Sequence, residues 1–184
     1  MHPIKFIWAF RAMMYKPFFG KIGKMTYIGK PCFIEGCKNL RIGNKVRIFP
    51  GIRIEAMNKG KVIIGNNVAI EQNVHITCAE KPLKIGNDVT VLANTFITNV
   101  NHDYQDINKS VLDQGISVLD TEIGDGCFIG YGAAIQAGTK LGKHCVVGAK
   151  TVVKGTYPDY CVIVGNPARV VKKYNPQTKK WERV

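Results

Sequence analysis

A six-residue repeat in residues 123–153 limits what this chain can fold into more than any other feature. An aliphatic residue returns at every sixth position, namely Ile123, Ile129, Ile135, Leu141, Val147 and Val153. Four of these six residues are followed directly by glycine. Neither the 3.6-residue period of a helix nor the alternation of a half-buried strand gives this pattern. It predicts short flat steps of chain that are separated by corners.

Three such steps would close one coil, so residues about 18 apart should lie on top of each other at the ordinary strand spacing of about 4.8 Å. Ile123 would then lie beneath Leu141, and Cys127 beneath Cys145. The residues two places before the other aliphatic positions, such as Ala133 and Thr139, are small or β-branched, which suits a narrow interior. We therefore predict a β-helix of hexapeptide repeats rather than an ordinary β-sandwich.

The same period extends through most of the chain. Earlier aliphatic triplets fall at Ile22, Ile28 and Ile34, at Ile42, Ile48 and Ile54, at Ile64, Ile70 and Ile76, and at Ile85, Val91 and Ile97. Asn, Asp and Gly follow many of these positions and tolerate the left-handed backbone that tight corners need. We predict an all-β solenoid domain at residues 21–165, an N-terminal arm at residues 1–20 and a basic tail at residues 166–184.

The repeat is interrupted for 25 residues, from Thr98 to Glu122, whereas its other insertions are only a few residues long. A long excursion from a regular solenoid is more often functional than decorative. This inserted loop carries the sequence NHDY, with His102 near its start.

Charge is unevenly distributed along the chain, whose net charge is +13. Residues 1–53 contain 11 Lys and Arg but only Glu35 as an acid, and residues 169–184 contain six but only Glu182. Basic ends on a near-neutral solenoid favour anionic partners, such as a nucleotide-like cofactor, an anionic lipid surface or a phosphorylated substrate. No basic and aromatic nucleic-acid motif is present, so we expect no nucleic-acid partner.

Six cysteines occur without a CxxC pair or a nearby histidine at zinc spacing, so we expect no metal site and a reducing, cytoplasmic environment. A zinc carbonic anhydrase, which some β-helices are, would need a close pair of histidines in addition to a third. His75, His102 and His144 provide no such pair. No apolar run approaches the length of a membrane span.

Residues 2–19 predict a short helix that ends near Pro17, with Ile4, Ile7, Trp8, Met14, Tyr15 and Phe18 on one face. Two interpretations remain open. The helix could cap the open end of the solenoid. It could also lie in a membrane interface, with Lys5, Arg11 and Lys16 near lipid phosphates, which would place the protein peripherally at the inner membrane face.

The hexads, the loop with NHDY and the closing sequence VGNPAR together resemble the hexapeptide-repeat acyltransferases over about residues 22–173. The similarity is greatest to the maltose, galactoside and xenobiotic O-acetyltransferases and to related enzymes of lipopolysaccharide and capsule assembly. The resemblance implies a homotrimer of left-handed β-helices that uses acetyl-CoA without a metal, with active sites between subunits. It also implies a sugar hydroxyl or surface-glycan precursor as the acceptor.

The resemblance assigns roles to particular residues. His102 matches the catalytic base, and imidazole accepts protons near neutral pH. The implied cofactor-binding residues are Tyr131, Ala133, Ala149, Thr151 and Lys154, with Arg169 and Lys172 at the phosphates. The implied acceptor-binding residues are Glu71, Asn73, Asn101, Asp103 and Tyr104.

Some residues depart from the family pattern. Glu71 replaces a family Asn, Phe128 stands where maltose and galactoside enzymes often have Trp, and the N-terminal segment is basic where theirs is acidic. A lipid-linked, nucleotide-linked or anionic glycan is therefore favoured over a free neutral sugar. A sugar-nucleotide N-acetyltransferase and a trimeric scaffold without activity remain as alternatives.

Overall fold

The computed structural model describes residues 3–184, so His2 of the predicted helix lies outside the described residues. Within that range there is one α-helix, α1 (Ile4–Tyr15), followed by short strands and two 3-10 turns at Cys37–Asn39 and Val111–Asp113. The strands are β1 (Lys21–Ile22), β2 (Tyr27–Ile28), β3 (Phe33–Glu35), β4 (Leu40–Ile42), β5 (Arg47–Ile48), β6 (Arg53–Met57), β7 (Lys61–Ile64), β8 (Ala69–Ile70), β9 (His75–Ala79), β10 (Pro82–Ile85), β11 (Thr90–Val91), β12 (Phe96–Thr98), β13 (Val100–His102), β14 (Ile116–Val118), β15 (Thr121–Ile123), β16 (Phe128–Ile129), β17 (Ala134–Ile135), β18 (Lys140–Leu141), β19 (Val146–Val147), β20 (Val152–Val153), β21 (Thr156–Tyr157), β22 (Cys161–Val164), β23 (Arg169–Asn175) and β24 (Lys180–Arg183).

Three parallel sheets form the sides of a solenoid. Sheet A has the order β1-β4-β7-β10-β15-β18-β21, sheet B begins β2-β5-β8-β11-β16-β19-β22, and sheet C has the order β3-β6-β9-β12-β17-β20. Ile123 pairs with Leu141, Ile129 with Val147, and Ile135 with Val153. The predicted stacking of residues 18 apart is therefore confirmed, as is the parallel β-helix with a short helix and a long insertion.

The core is a column of aliphatic side chains that point inward from all three sheets. Cys127 and Cys145 are buried within it, as are Thr139 and Thr151, so the predicted small interior positions are confirmed. Steric contact between neighbouring coils explains why glycine follows the aliphatic residue. A methyl group on Gly43 would overlap the carbonyl oxygen of Gly65 in the next coil, so coils could not stack at this spacing.

Helix α1 packs beside the first coils through only part of the face that the sequence predicted, since Tyr15 of that face packs against the core. Trp8 and Ala12 are the buried residues of the helix, whereas Ile7 and Met14 of the predicted face are exposed. The indole of Trp8 packs against Tyr27 and Phe49 on the outer side of sheet B. The prediction was wrong at Ile7 and Met14 because apolar residues surround most of this helix, so spacing alone did not identify the whole side that meets the solenoid.

The edge of sheet B is also covered by α1. Arg11 donates a hydrogen bond from Nη1 to the carbonyl oxygen of Ile28 at 3.0 Å, and Ile28 belongs to β2, the first strand of that sheet. A backbone acceptor that would otherwise lack a strand partner is thereby satisfied.

The two remaining segments are antiparallel. The C-terminal strands β23 and β24 extend sheet B beyond β22, with Tyr174 packed between Tyr160 and Trp181. The long insertion is a hairpin of β13 and β14, which projects from the solenoid between β12 and β15. No helix of residues 3–184 is long and apolar enough to cross a bilayer.

Candidate active site

The three corners of each coil stack into three edges of the solenoid, and the predicted site residues lie on two of them. The B–C edge, where the chain passes from sheet B to sheet C, contains residues 71–73, 92–95, 130–133 and 148–151. The C–A edge contains residues 80–81, 99–120, 136–139 and 154–155. Sheet C lies between these two edges.

His102 lies in strand β13 of the inserted hairpin, opposite Ile116, and its side chain is exposed. An exposed imidazole on a two-stranded element is both accessible to a substrate and held on a defined backbone. The predicted base therefore lies on the hairpin that leaves the C–A edge.

The base of this hairpin is fixed by Asn99, which is completely buried. Its amide Nδ2 donates to the carbonyl oxygens of Ala79 and Lys81, both at 3.0 Å. Its Oδ1 accepts from the backbone N–H of Ala79 at 2.9 Å. All three side-chain bonds go to the coil beneath, so Asn99 sets the direction in which the chain leaves the solenoid toward His102.

Other bonds close the hairpin around the predicted acceptor residues. Ser117 donates to the carboxylate of Asp103, whose backbone N–H donates to the carbonyl oxygen of Gly115. Asn101 is half-buried opposite Ser117, and the ring of Tyr104 is 70% exposed. The four consecutive residues Asn101, His102, Asp103 and Tyr104 therefore lie on one closed hairpin, where His102 and Tyr104 are exposed.

Four of the predicted cofactor residues lie on the B–C edge of the last two complete coils: Tyr131, Ala133, Ala149 and Thr151. Tyr131 and Ala149 are exposed, whereas Ala133 and Thr151 are buried and could meet a ligand only through their backbone. The ammonium of Lys150 lies 5.0 Å from the centre of the Tyr131 ring. This is a cation–π contact, so the two side chains hold each other at this edge.

Asn94 belongs to the same edge and was missed by the sequence reasoning. Its Nδ2 donates to the Tyr131 hydroxyl, and its backbone has a φ of 59°. Asn73 occupies the equivalent corner one coil below, with a φ of 56°. The equivalence of these positions in neighbouring hexads was the available signal for Asn94.

Glu71 and Asn73 lie lower on the B–C edge. The carboxylate of Glu71 accepts from the backbone N–H of Ala93 at 3.1 Å, and the side chain is half-buried. The Asn73 carboxamide packs directly against Gly51. It occupies the space that a side chain at residue 51 would need. Part of the hydrogen-bonding capacity of Glu71 is therefore used in stacking the coils.

The three predicted cationic residues are spread over more than one edge. Arg169 begins β23 opposite Val164, where the last strand of sheet B reaches the B–C edge. Lys172 lies further along β23, opposite Val162, and Lys154 lies on the C–A edge. All three side chains are exposed. Arg169 is the one in line with Tyr131 and Ala149.

His102 and the predicted cofactor residues on the B–C edge lie on separate parts of a single chain. Within residues 3–184, no hydrogen bond joins the hairpin of His102 to the B–C edge that carries Tyr131. A second copy whose B–C edge met this hairpin would bring the two halves together.

Sheet C carries a polar cluster on its outer side, between the two edges. Glu55 accepts from Arg53 at 2.6 Å, from His75 at 2.8 Å and from Thr77 at 3.2 Å. The hydrogen bond from Arg53 is the main reason that the pKa of Glu55 is lowered to about 2. The ring of His75 lies on the outer side of sheet C and also packs against Phe96.

Comparison with known proteins supports this reading of the fold. Residues 120–155 match the family described as "Bacterial transferase hexapeptide (six repeats)". The chain is 32% identical over 160 residues to the putative lipopolysaccharide biosynthesis O-acetyl transferase WbbJ of Escherichia coli (strain K12), covering 83% of this chain and 81% of that protein. It is 34% identical over 162 residues to the probable acetyltransferase Rv3034c of Mycobacterium tuberculosis, covering 86% of this chain and 52% of that protein.

Solved structures share the same architecture. AntD, an N-acyltransferase from Bacillus cereus in complex with dTDP and 3-hydroxybutyryl-CoA, has a TM-score of 0.78 at 20% identity, covering 91% of this chain and 90% of that one. A galactoside acetyltransferase in complex with coenzyme A has a TM-score of 0.70 at 20% identity, covering 100% of this chain and 78% of that one. These structures confirm the predicted β-helix class.

Proposed function

We propose that this chain, which belongs to the hexapeptide-repeat acetyltransferase family and is an acyltransferase, transfers an acetyl group from acetyl-CoA to a hydroxyl of a sugar or surface-glycan precursor. The observation that carries the proposal is the exposed His102 on an anchored hairpin, in a chain 32% identical to a putative lipopolysaccharide O-acetyl transferase. Similarity across 83% of the chain makes this more than an analogy of fold.

In this proposal His102 acts as the general base. Its neutral imidazole takes the proton from the acceptor hydroxyl as that oxygen attacks the carbonyl carbon of the acetyl thioester. The resulting tetrahedral oxyanion collapses with cleavage of the carbon–sulfur bond, and the CoA sulfur leaves with the proton that the imidazolium returns. The transfer is direct, so no acyl-enzyme forms, and much of the rate comes from holding two substrates in contact.

The cofactor would lie along the B–C edge. Backbone groups near Ala133 and Thr151, with the exposed Tyr131 and Ala149, would line its elongated chain. Arg169, at the end of this edge, would meet a phosphate, because a guanidinium forms strong charge-assisted hydrogen bonds to phosphate oxygens. Lys154 and Lys172 would add positive charge around the same ligand.

We further propose a homotrimer, because His102 lies at the C–A edge of one chain whereas the predicted cofactor residues lie at its B–C edge. Three copies around a three-fold axis would place the hairpin of each chain against the B–C edge of the next, which closes the ring. The outer side of sheet C would then face the neighbouring copies. In the upper coils this side carries only Ala134 and Val152, whose small side chains permit close approach.

The acceptor side would combine the hairpin residues Asn101, Asp103 and Tyr104 of one copy with Glu71 and Asn73 of another. Each of these offers a polar group suited to sugar hydroxyls. Six free cysteines and the use of acetyl-CoA suit a cytoplasmic location.

A sugar-nucleotide N-acyltransferase is the second candidate, because AntD shares the fold over 91% of this chain. The two candidates differ in the nucleophile, which is an alcohol in one and an amine in the other. Both would use the same cofactor edge, so the acceptor alone separates them.

The test is release of CoA thiol from acetyl-CoA with a panel of sugars, sugar nucleotides, amino sugars and lipid-linked glycans. We expect turnover on a hydroxyl acceptor, and a loss of about 10²- to 10⁴-fold in kcat for His102→Ala with acetyl-CoA binding retained. His144→Ala, an exposed histidine on the A–B edge, is the matched control and should keep full activity. Turnover restricted to amino sugars would favour N-acylation, and failure to bind acetyl-CoA would overturn both.

A further inference from the structure

Helix α1 exposes a continuous apolar face on the side opposite the solenoid. We define the outer face of α1 by its five large apolar residues and their exposed fractions: Phe6 62%, Ile7 59%, Phe10 60%, Met13 54% and Met14 53%. With roughly 200 Å² for each large side chain, these fractions leave on the order of 600 Å² exposed, the upper end of what single-chain proteins show. Surfaces of this kind mark interaction sites.

The outer face is not a core face that the structure has left open. The opposite side of α1 already packs through Trp8 and Ala12, and its cation Arg11 is bonded to the backbone of Ile28. Lys5 lies over the ring of Tyr27, 5.6 Å from its centre. Helix α1 is therefore held firmly, while no element of residues 3–184 covers its outer face.

The apolar surface continues past the end of α1. Phe18 is 64% exposed and borders an open cleft of about 770 Å³ that Tyr15, Phe33 and Ile34 also line. Met25 in the first coil is 78% exposed. The whole N-terminal end of the solenoid thus presents large, flexible apolar side chains.

Positive charge surrounds this surface, and Glu35 at the end of β3 is the single acid of the first coil. Residues 3–34 contain six Lys and Arg and no Asp or Glu. Lys16, Lys21, Lys24 and Lys30 are exposed. Lysines around an apolar helical face are the arrangement by which a helix lies in the interface of an anionic bilayer.

The positive charge around the outer face favours a bilayer over a second copy of this chain as its binding partner. Two copies that met through the outer face would bring their lysine clusters together with no acid on α1 to offset them, and like charges oppose such contact. Anionic lipid headgroups complement the same lysines, and the acyl region accepts the phenylalanines and methionines. We propose that the outer face of α1 docks the enzyme on an anionic lipid bilayer.

This docking is independent of the proposed transfer reaction, because it uses residues on the outer side of α1 and not those of either site edge. The lipid-facing residues of α1 differ from those that the sequence predicted for a helix in the membrane interface. Lys5 and Arg11 turn toward the solenoid, so the lipid-facing charges are Lys16 and the lysines of the first coil.

Co-sedimentation of the full chain with lipid vesicles tests the inference. Vesicles of phosphatidylcholine with about one-third phosphatidylglycerol should bind the protein, whereas pure phosphatidylcholine vesicles should not, and added salt should weaken binding. Phe6→Gln with Phe10→Gln should weaken binding about a hundredfold, because two half-exposed phenyl rings no longer enter the acyl region. Lys16→Gln, Lys21→Gln and Lys24→Gln together should weaken it on the order of a hundredfold.

Matched controls separate these effects from general changes of surface. Ile107→Gln with Leu112→Gln removes two side chains that are 94% and 87% exposed on the hairpin, and should leave binding unchanged. Lys59→Gln, Lys143→Gln and Lys179→Gln remove the same charge elsewhere and should also leave it unchanged.

Three results would overturn the inference. The protein could remain in the supernatant with anionic vesicles, bind neutral vesicles equally well, or bind unchanged after the double phenylalanine substitution. Light scattering tests the alternative that a second copy of this chain covers the outer face. If the phenylalanine substitutions made the protein assembly smaller, the outer face would be a contact between copies and not a lipid-binding surface. Acetyl transfer measured without vesicles should be the same for parent and variants, so the two proposals fail separately.

Discussion

Asn99 and Ala79 are joined by a reciprocal pair of hydrogen bonds. The backbone N–H of Ala79 donates to Asn99 Oδ1 at 2.9 Å, and Asn99 Nδ2 donates to the Ala79 carbonyl oxygen at 3.0 Å. The side chain thus replaces a strand pairing at the point where the chain leaves the solenoid, three residues before His102.

Asn99→Ala should therefore reduce kcat about tenfold or more, with a smaller effect on KM, because His102 loses its fixed position rather than its chemistry. The buried backbone groups of Ala79 would lose their partners, which should lower the free energy of unfolding by about 1–3 kcal/mol. Steady-state kinetics with hydrogen exchange of the Val100–His102 amides would measure both effects. Asn108→Ala, an exposed asparagine of the same hairpin, is the control, and equal kinetics for the two variants would contradict a positioning role.

Glu55→Gln should lower stability near neutral pH and have little effect in strong acid. The pKa of Glu55 is lowered to about 2, chiefly by the hydrogen bond from Arg53, whereas an unfolded glutamate titrates near 4.5. The carboxylate therefore contributes stability that is complete above about pH 4.5 and is lost as pH falls through about 2. Allowing for the exposure of Arg53, this contribution is on the order of 2 kcal/mol.

Urea unfolding of parent and Glu55→Gln at several pH values would measure this contribution. The stability difference should be largest above about pH 4.5 and should shrink toward pH 2. Glu35→Gln is the control, since Glu35 pairs in register with Glu55 but its carboxylate makes no hydrogen bond within residues 3–184. A difference that stayed constant with pH would show that the hydrogen-bonded charge contributes nothing.

The sequence predicted the solenoid because the hexad acts directly on packing. One inward aliphatic residue per step and one glycine at a stacking contact are compatible with few other folds. The surroundings of Ile123 and Gly43 can therefore be predicted from the repeat in which each residue lies. Asn99 gave no such signal, since its partners at Ala79 and Lys81 lie about 20 residues away and an asparagine in an insertion resembles any loop residue. The buried face of α1 was predicted only in part because periodicity finds apolar residues and does not reveal which of them a partner covers.

Native thiol labelling should separate Cys32 from Cys78. Burial raises the pKa of the Cys78 thiol to about 11, so almost no thiolate forms near pH 8. Cys32 is exposed in the first coil. Iodoacetamide followed by peptide mass analysis should show rapid modification at Cys32 and none at Cys78 until the protein is unfolded in urea. Equal rates in the native protein would be inconsistent with the stacking of β6 and β9.

Arg169→Gln should raise the KM for acetyl-CoA about tenfold while leaving kcat within about twofold. One charge-assisted hydrogen bond to phosphate is worth about 1.5–3 kcal/mol, and this bond is the same in the ground and transition states. Arg183→Gln removes an exposed guanidinium from β24, further from the B–C edge, and should leave both constants unchanged. Acetyl-pantetheine, which lacks the nucleotide phosphates, provides the decisive substrate. If Arg169 meets a phosphate, parent and Arg169→Gln should use this substrate equally, whereas a persistent difference would place the effect of Arg169 on the fold of β23 rather than on the cofactor.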